Sequence, residues 1–153
     1  MVFCIDGTLN MAHCIDSVKE NVKKFHQEFL KCMMDKGSEI DTQRIRIIVF
    51  RDYKSDGNNA MLVSLFYELP MDEDEFDICL QNISATGGCN EGANGLEALY
   101  FAMKSDFNTG NTDRQVIVLF TISDALKLGA RSNEAAYPRT WLMKKGFVTC
   151  GLV

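Results

Sequence analysis

The chain has 153 residues, of which 46% are hydrophobic and 24% are charged, and its formal net charge is −5. This length and composition exclude a disordered or collagen-like chain and predict one globular domain over residues 1–153 with a buried core. The negative net charge argues against a nucleic-acid partner, because phosphate contacts need a concentrated basic face.

The six cysteines mostly fall within apolar runs and lack the paired spacing of zinc sites. They are Cys4, Cys14, Cys32, Cys79, Cys89 and Cys150. We expect reduced and mostly buried thiols. The sequence starts directly on an apolar run, without the basic and apolar segments of a secretory leader. We therefore expect a cytoplasmic protein with no membrane partner.

In the first half of the chain, Val2 to Ile5 form a short apolar run that predicts a buried strand. Apolar residues then recur at helical spacing over residues 15–36, and Gly37 is a typical helix stop. Residues 45–50 and 61–69 are rich in β-branched and aromatic residues and are joined by a short turn. This pattern predicts two antiparallel strands.

The second half predicts two helices, a fully buried strand, a short helix and a final strand. In order, these lie at residues 72–83, 92–105, 116–121, 133–145 and 147–153, with Leu96, Leu99, Tyr100 and Met103 on one face of the second helix. The element order predicts an α/β domain with a Rossmann-like, three-layer arrangement. Its central sheet would be mostly parallel with one antiparallel edge strand, and helices would cover both faces.

Three polar segments follow predicted strands or open a predicted helix. They are Asp6-Gly7-Thr8-Leu9-Asn10, Thr86-Gly87-Gly88-Cys89-Asn90 and Ser123-Asp124. Binding sites of open α/β sheets lie beyond the carboxyl ends of the strands, where loops diverge. A hard cation such as Mg²⁺ takes carboxylate, hydroxyl and amide oxygens, and these segments supply all three.

The segment from Val2 to Met11 resembles the first strand and metal loop of the von Willebrand factor type A family. Ile122-Ser123-Asp124-Ala125 is similar to the family segment that ends the central fourth strand. The resemblance covers nearly the whole chain. It implies a metal-ion-dependent adhesion site, built from an Asp-x-Ser-x-Ser loop, a separate Thr and a later Asp.

Two middle segments resemble an intracellular branch of that family, which includes domains attached to α-kinases. They are Phe50-Arg51-Asp52-Tyr53, and Gly87-Gly88-Cys89-Asn90 followed by Leu96-Glu97-Ala98-Leu99. The resemblance implies one Mg²⁺ or Mn²⁺ ion, held partly through water, and a position left open for the carboxylate of a partner protein. The implied ligands are Asp6, Thr8, Asn10, Asn90 and Asp124. The domain would then be a binding module and not an enzyme.

Two alternatives stay open. Asn10 and Asn90 replace residues that the family uses as ligands, so the site of this chain could have decayed, leaving a domain that binds partners by shape alone. The other alternative is a phosphatase, since Cys4-Ile5-Asp6-Gly7-Thr8-Leu9 also looks like the Asp-x-Asp-Gly-Thr-Leu motif of haloacid-dehalogenase-like enzymes. Cys4 stands in the nucleophile position and cannot form an aspartyl phosphate, which disfavours this reaction.

For the remaining candidate residues, structural roles are favoured. We expect His13 and His26 at solvent-facing helix positions, and Arg51 paired with an acidic neighbour. Gly87-Gly88 lacks the residues of a nucleotide-binding loop, and Cys89 lacks a recognisable base for nucleophilic catalysis. Family domains usually carry another strand and helix beyond the point matching Val153, so we expect an abbreviated chain or part of a longer protein.

Overall fold

A computed structural model describes residues 1–38, 40, 42–88, 92–110 and 113–126. Its strands are β1 (Val2–Asp6), β2 (Gln43–Phe50), β3 (Met61–Leu69) and β4 (Ile117–Phe120). Its α-helices are α1 (Ile15–Asp35), α2 (Tyr53–Asp56), α3 (Glu73–Gln81) and α4 (Gly95–Met103), and 3-10 helices span Leu9–His13 and Gly57–Ala60. The helix and strand predicted at residues 133–145 and 147–153 lie outside the described residues.

The four strands form one sheet in the order β3-β2-β1-β4. β1 pairs in parallel with β2 on one side and with β4 on the other, whereas β2 and β3 pair antiparallel. This confirms an α/β fold with a mostly parallel sheet and one antiparallel strand at its edge. β2 and β3 are antiparallel because only residues 51–60 connect them, and a parallel crossover needs a dozen or more residues.

The side chains of β1 alternate between two hydrophobic clusters, as the pleat of a strand requires. Phe3 and Ile5 pack in a cluster with residues of α1 and α3, including Val22 and Phe76. Val2 and Cys4 pack in a second cluster with residues of α4. The central strand is therefore buried on both faces, which explains why its sequence is apolar without alternation.

The helix α4 begins at Gly95, three residues later than the sequence predicted. Before the helix, Ala93 forms a parallel bridge with Ala125. The buried face of α4 also differs from the prediction. Ala98, Leu99 and Ala102 are buried, whereas Leu96 is only half-buried. Small side chains face the sheet because the helix lies close to it, with Gly95 only 3.4 Å from Phe50 at its Cβ position.

The prediction of a fully buried fourth strand was wrong, because every residue of β4 is half-buried. Among the described residues β4 pairs only with β1, so it is the outer strand of the described sheet on that side. An outer strand has fewer neighbours to cover its side chains than a central one, although its sequence is equally apolar.

His26 was predicted to face solvent, but it is buried at 6% exposure, and its Nδ1 lies 3.2 Å from Oε1 of Gln43. This hydrogen bond gives the buried imidazole ring a polar partner, which could not be recognised from the sequence. His13 is exposed, as predicted.

The four described cysteines are free thiols, but only Cys4 is buried. Cys32 is exposed and the other two are intermediate, so the expectation of mostly buried thiols was wrong for this set. Cys89 and Cys150 lie outside the described residues. In the part of the chain that the structure describes, no helix is long and apolar enough to cross a membrane.

Candidate functional site

The candidate site lies where the parallel strands end. β1, β2 and β4 run in the same direction, so residues that follow Asp6, Phe50 and Phe120 meet at one edge of the sheet. The chain passes from β1 to β2 on one side and returns to the other side of β1 through β4. The gap between β1 and β4 is therefore a topological switch point, the usual place for a site in an open α/β sheet.

Asp6 is the buried carboxylate at this switch point, with no exposed surface. Its Oδ1 accepts a hydrogen bond from the backbone N–H of Thr8 at 2.9 Å, and its Oδ2 accepts one from the hydroxyl of Thr121 at 2.8 Å. Each carboxylate oxygen can accept two bonds, and among the described residues each accepts one. The carboxylate thus joins the loop after β1 to the loop after β4.

The hydroxyls of Thr8 and Ser123 bring the two loops together a second time, with their Oγ atoms 3.4 Å apart. Thr8 is buried at 1% exposure, while Ser123 is half-buried. The Ser123 loop is also held from within, because the backbone N–H of Ser123 donates to Oγ1 of Thr121 at 3.0 Å. We call Asp6, Thr8, Thr121 and Ser123 the oxygen cluster.

The glycine-rich loop closes over Thr8. The N–H of Leu9 donates to the carbonyl of Gly87 at 3.0 Å, and the N–H of Thr86 donates to the carbonyl of Gly7 at 2.8 Å. Gly88 has φ +77°, and a Cβ there would lie 2.7 Å from Cβ of Thr8. Glycine is required at this position both by its backbone conformation and by the close approach of Thr8.

Arg51 connects the loop after β1 with the glycine-rich loop and neighbouring segments through four hydrogen bonds to backbone carbonyls. Its Nε donates to the carbonyls of Gly7 and Thr86, each at 3.0 Å, and its terminal nitrogens donate to those of Asn59 and Ser84 at 3.0 and 2.9 Å. Arg51 is 6% exposed. Among the described residues its partners are therefore carbonyl oxygens and not the acidic neighbour that the sequence suggested. The planar guanidinium suits this role because it presents five donors in a rigid fork.

Asp52 and Asp56 organise the segment after β2. Asp52 is buried at 1% exposure and caps α2 by accepting from the N–H of Lys54 at 3.0 Å. Oδ2 of Asp56 accepts from the N–H of Gly88 at 2.8 Å and so ties this segment to the glycine-rich loop. Both carboxylates act on backbone groups, which favours structural roles for them.

Of the five predicted ligands, two are buried within the site and two are exposed. Asp6 and Thr8 belong to the oxygen cluster, whereas the side chains of Asn10 and Asp124 are exposed. Asp124 is placed by its backbone, since its carbonyl accepts from the N–H of Ala93 at 2.9 Å. Asn90 lies outside the described residues.

Thr121 is the site residue that the sequence reasoning missed. It follows directly after β4, and the pairing of Ile5 with Phe120 puts the next residues, Asp6 and Thr121, side by side. Aligning the ends of the two apolar runs would have suggested this contact. The role of Arg51 had no comparable signal, because its four acceptors are backbone atoms of distant residues.

The oxygen cluster offers one carboxylate and three hydroxyls, a donor set of the kind that hard cations prefer. Elsewhere in the described part of the chain, and here, no group of three or more His, Cys, Asp or Glu side chains could hold a metal ion. A centre made by these residues would therefore depend on hydroxyl ligands and on Asp6, and not on a dense cluster of charge.

Cys4 takes no part in the site. Its side chain is fully buried on the α4 side of β1, and its Sγ lies 3.7 Å from the carbonyl of Ala98. Burial raises the pKa of the thiol to about 12, so the thiolate is not formed near neutral pH.

Comparisons of the chain with models of known protein families, with curated proteins and with solved structures found no match.

Proposed function

We propose that the chain is a protein-interaction module of the von Willebrand factor A type, which binds a partner carboxylate through Mg²⁺ or Mn²⁺. The proposal includes the Rossmann-like, three-layer arrangement and a cytoplasmic location. The ion would be held by Asp6, Thr8, Asn10, Asn90 and Asp124, partly through water. When bound, it would supply an electrophilic position that an outside carboxylate completes.

The observation that carries the proposal is the meeting of Asp6, Thr8 and Ser123 at the switch point of the sheet. The residues come from two loops far apart in sequence, and the order of motifs matches the resemblance described above. Each oxygen of Asp6 accepts a single bond within the described part of the chain, and a metal-bound water could supply a second one. A cation with few charged ligands gains most by recruiting an anion from a partner.

One alternative is a domain of the same type that binds partners without metal. The exposure of Asn10 and Asp124 favours it, because neither side chain is held by a described contact in a ligating position. A phosphatase is disfavoured, since the residue in the nucleophile position is the buried, protonated thiol of Cys4.

Calorimetric titration with Mn²⁺, combined with thermal unfolding, tests the proposal. We expect saturable binding and a higher melting temperature, because an ion bound only by the folded state stabilises it by about 2.7 kcal/mol at a hundred times its dissociation constant. Asp124→Ala should weaken Mn²⁺ binding. Folded protein that gives no heat and no change in melting temperature at millimolar Mn²⁺ would support the metal-free alternative.

Asp35→Ala is the matched control for Asp124→Ala. Both carboxylates are exposed, and Asp35 ends the 21-residue helix α1, which begins beside the site. The helix length puts Asp35 about 30 Å from the loop. Asp35→Ala should leave Mn²⁺ binding unchanged, and equal weakening by both variants would indicate non-specific attraction to an acidic surface.

A further inference from the structure

We propose that Leu9 and Ile122 are specificity-determining residues that receive a large apolar side chain of the partner next to its carboxylate. We call these two residues the aliphatic pair. The inference rests on the proposed function and names the chemistry of the partner: a carboxylate with an aliphatic or aromatic side chain no more than two residues away from it.

Both members of the aliphatic pair are exposed, and each adjoins a hydroxyl residue of the oxygen cluster that is buried or half-buried. Leu9 is 64% exposed and follows Thr8, which is 1% exposed; Ile122 is 57% exposed and precedes Ser123. The hydroxyls of Thr8 and Ser123 lie 3.4 Å apart. Each loop that contributes a hydroxyl to the oxygen cluster therefore also presents one aliphatic side chain to solvent.

The backbone of each aliphatic residue is held in place. The N–H of Leu9 donates to the carbonyl of Gly87 at 3.0 Å. Ile122 is the middle residue of a turn that is closed by the hydrogen bond from the N–H of Ser123 to Oγ1 of Thr121. A binding surface whose backbone is already ordered loses less conformational entropy on association, so more of the apolar burial contributes to affinity.

The polar and apolar parts of this surface favour a particular partner. The cation of the proposed function would recruit an anion at the oxygen cluster, and burial of the exposed aliphatic pair under an apolar side chain would stabilise the complex. In an extended segment, residues two apart point to the same side and lie about 7 Å from each other. A partner with an apolar side chain two residues from its acid could therefore occupy both parts together.

Binding of labelled protein to a peptide array in the presence of Mn²⁺ tests the inference. Each peptide has a central Asp, and one flanking position at a time is changed to Leu, Phe, Ser or Lys. We expect Leu or Phe within two residues of the Asp to increase binding about tenfold over Ser, which corresponds to burying roughly one aliphatic side chain.

The double variant Leu9→Ser/Ile122→Ser should lose this preference and keep the requirement for Asp. Leu65→Ser is the control, because Leu65 is 82% exposed on β3 and remote in sequence from both loops. Since all three side chains are exposed, we expect unchanged melting temperatures. A double variant that keeps the preference, or a control that loses it, would overturn the inference.

Calorimetry with Mn²⁺ separates the two possible failures. Protein that does not bind Mn²⁺ contradicts the proposed function and, with it, this inference. Protein that binds Mn²⁺ and Asp peptides without regard to their neighbours contradicts the inference alone. A preference at positions more distant than two residues would also contradict it.

Discussion

Two layers of the candidate site differ sharply in their surroundings. The inner layer, Asp6, Thr8 and Arg51, is buried, and every one of its members is held by hydrogen bonds. The outer layer, Leu9, Asn10, Ile122 and Asp124, is exposed. Residues that are adjacent in the chain, such as Thr8 and Leu9, belong to different layers. Position in a motif therefore does not by itself tell whether a residue builds the site or contacts a partner.

The largest expected effect is that of Arg51→Ala in the inner layer. The change removes the donor for four carbonyls and leaves a cavity where the guanidinium lay. We expect the free energy of unfolding to fall by about 3 kcal/mol or more, as for other broken buried networks. Urea unfolding measures this. Arg114→Ala, at an exposed position, should change it by less than about 0.5 kcal/mol.

A smaller effect is expected for Gly88→Ala, which tests the contact between the glycine-rich loop and Thr8. The new Cβ would lie 2.7 Å from Cβ and Cγ2 of Thr8, in a backbone conformation with φ +77°. We expect destabilisation of about 2–3 kcal/mol. Gly37→Ala is the matched control, because Gly37 has φ +68° and nothing within 4 Å of its Cβ position. Gly37→Ala should lower the free energy of unfolding by only about 1 kcal/mol.

Combining Gly88→Ala with Thr8→Ser tests whether the strain comes from the contact between the new Cβ and the Cγ2 methyl of Thr8. Serine lacks the Cγ2 methyl, so the double variant should be more stable than the sum of the two single changes predicts. Additive effects in urea unfolding would mean that the strain does not come from the Cγ2 methyl of Thr8.

The smallest expected effect on stability is that of Asn10→Ser in the outer layer. Because Asn10 is exposed, the free energy of unfolding should change by less than about 0.5 kcal/mol. Serine is the residue that the family resemblance implies at this position, and its hydroxyl needs no amide rotation to present oxygen. Calorimetry should therefore show tighter Mn²⁺ binding, whereas unchanged affinity would remove Asn10 from the proposed ligands.

The sequence predicted the strands and the long helix well, because their periodicity is a local property. Val2–Asp6, Met61–Leu69 and α1 matched closely for this reason. The start of α4 was missed because the bridge between Ala93 and Ala125 forms with a distant residue. Likewise, His26 was predicted to be exposed because its hydrogen-bond partner, Gln43, is distant in sequence. Errors occurred where contacts distant in sequence decided the outcome.

For the site, the sequence predicted which loops would meet but not how their side chains would be used. Asp6 and Thr8 were expected as ligands, and Thr121 and Arg51 were not. The carboxyl ends of parallel strands converge by geometry, so the location follows from the element order. The hydrogen bonds to individual carbonyls follow from loop conformations, which apolar patterning does not encode.

The hydrogen bond between Asp6 and Thr121 joins residues 115 positions apart and has a consequence for folding. β1, β2 and β3 are contiguous in the chain, whereas residues 70–116 separate β3 from β4. Contacts of such separation form late because a long loop must close first. Until β4 docks, the carboxylate of Asp6 lacks its Thr121 partner. During synthesis, a chain that ends before β4 would therefore present the loop after β1 without its Thr121 and Ser123 contacts.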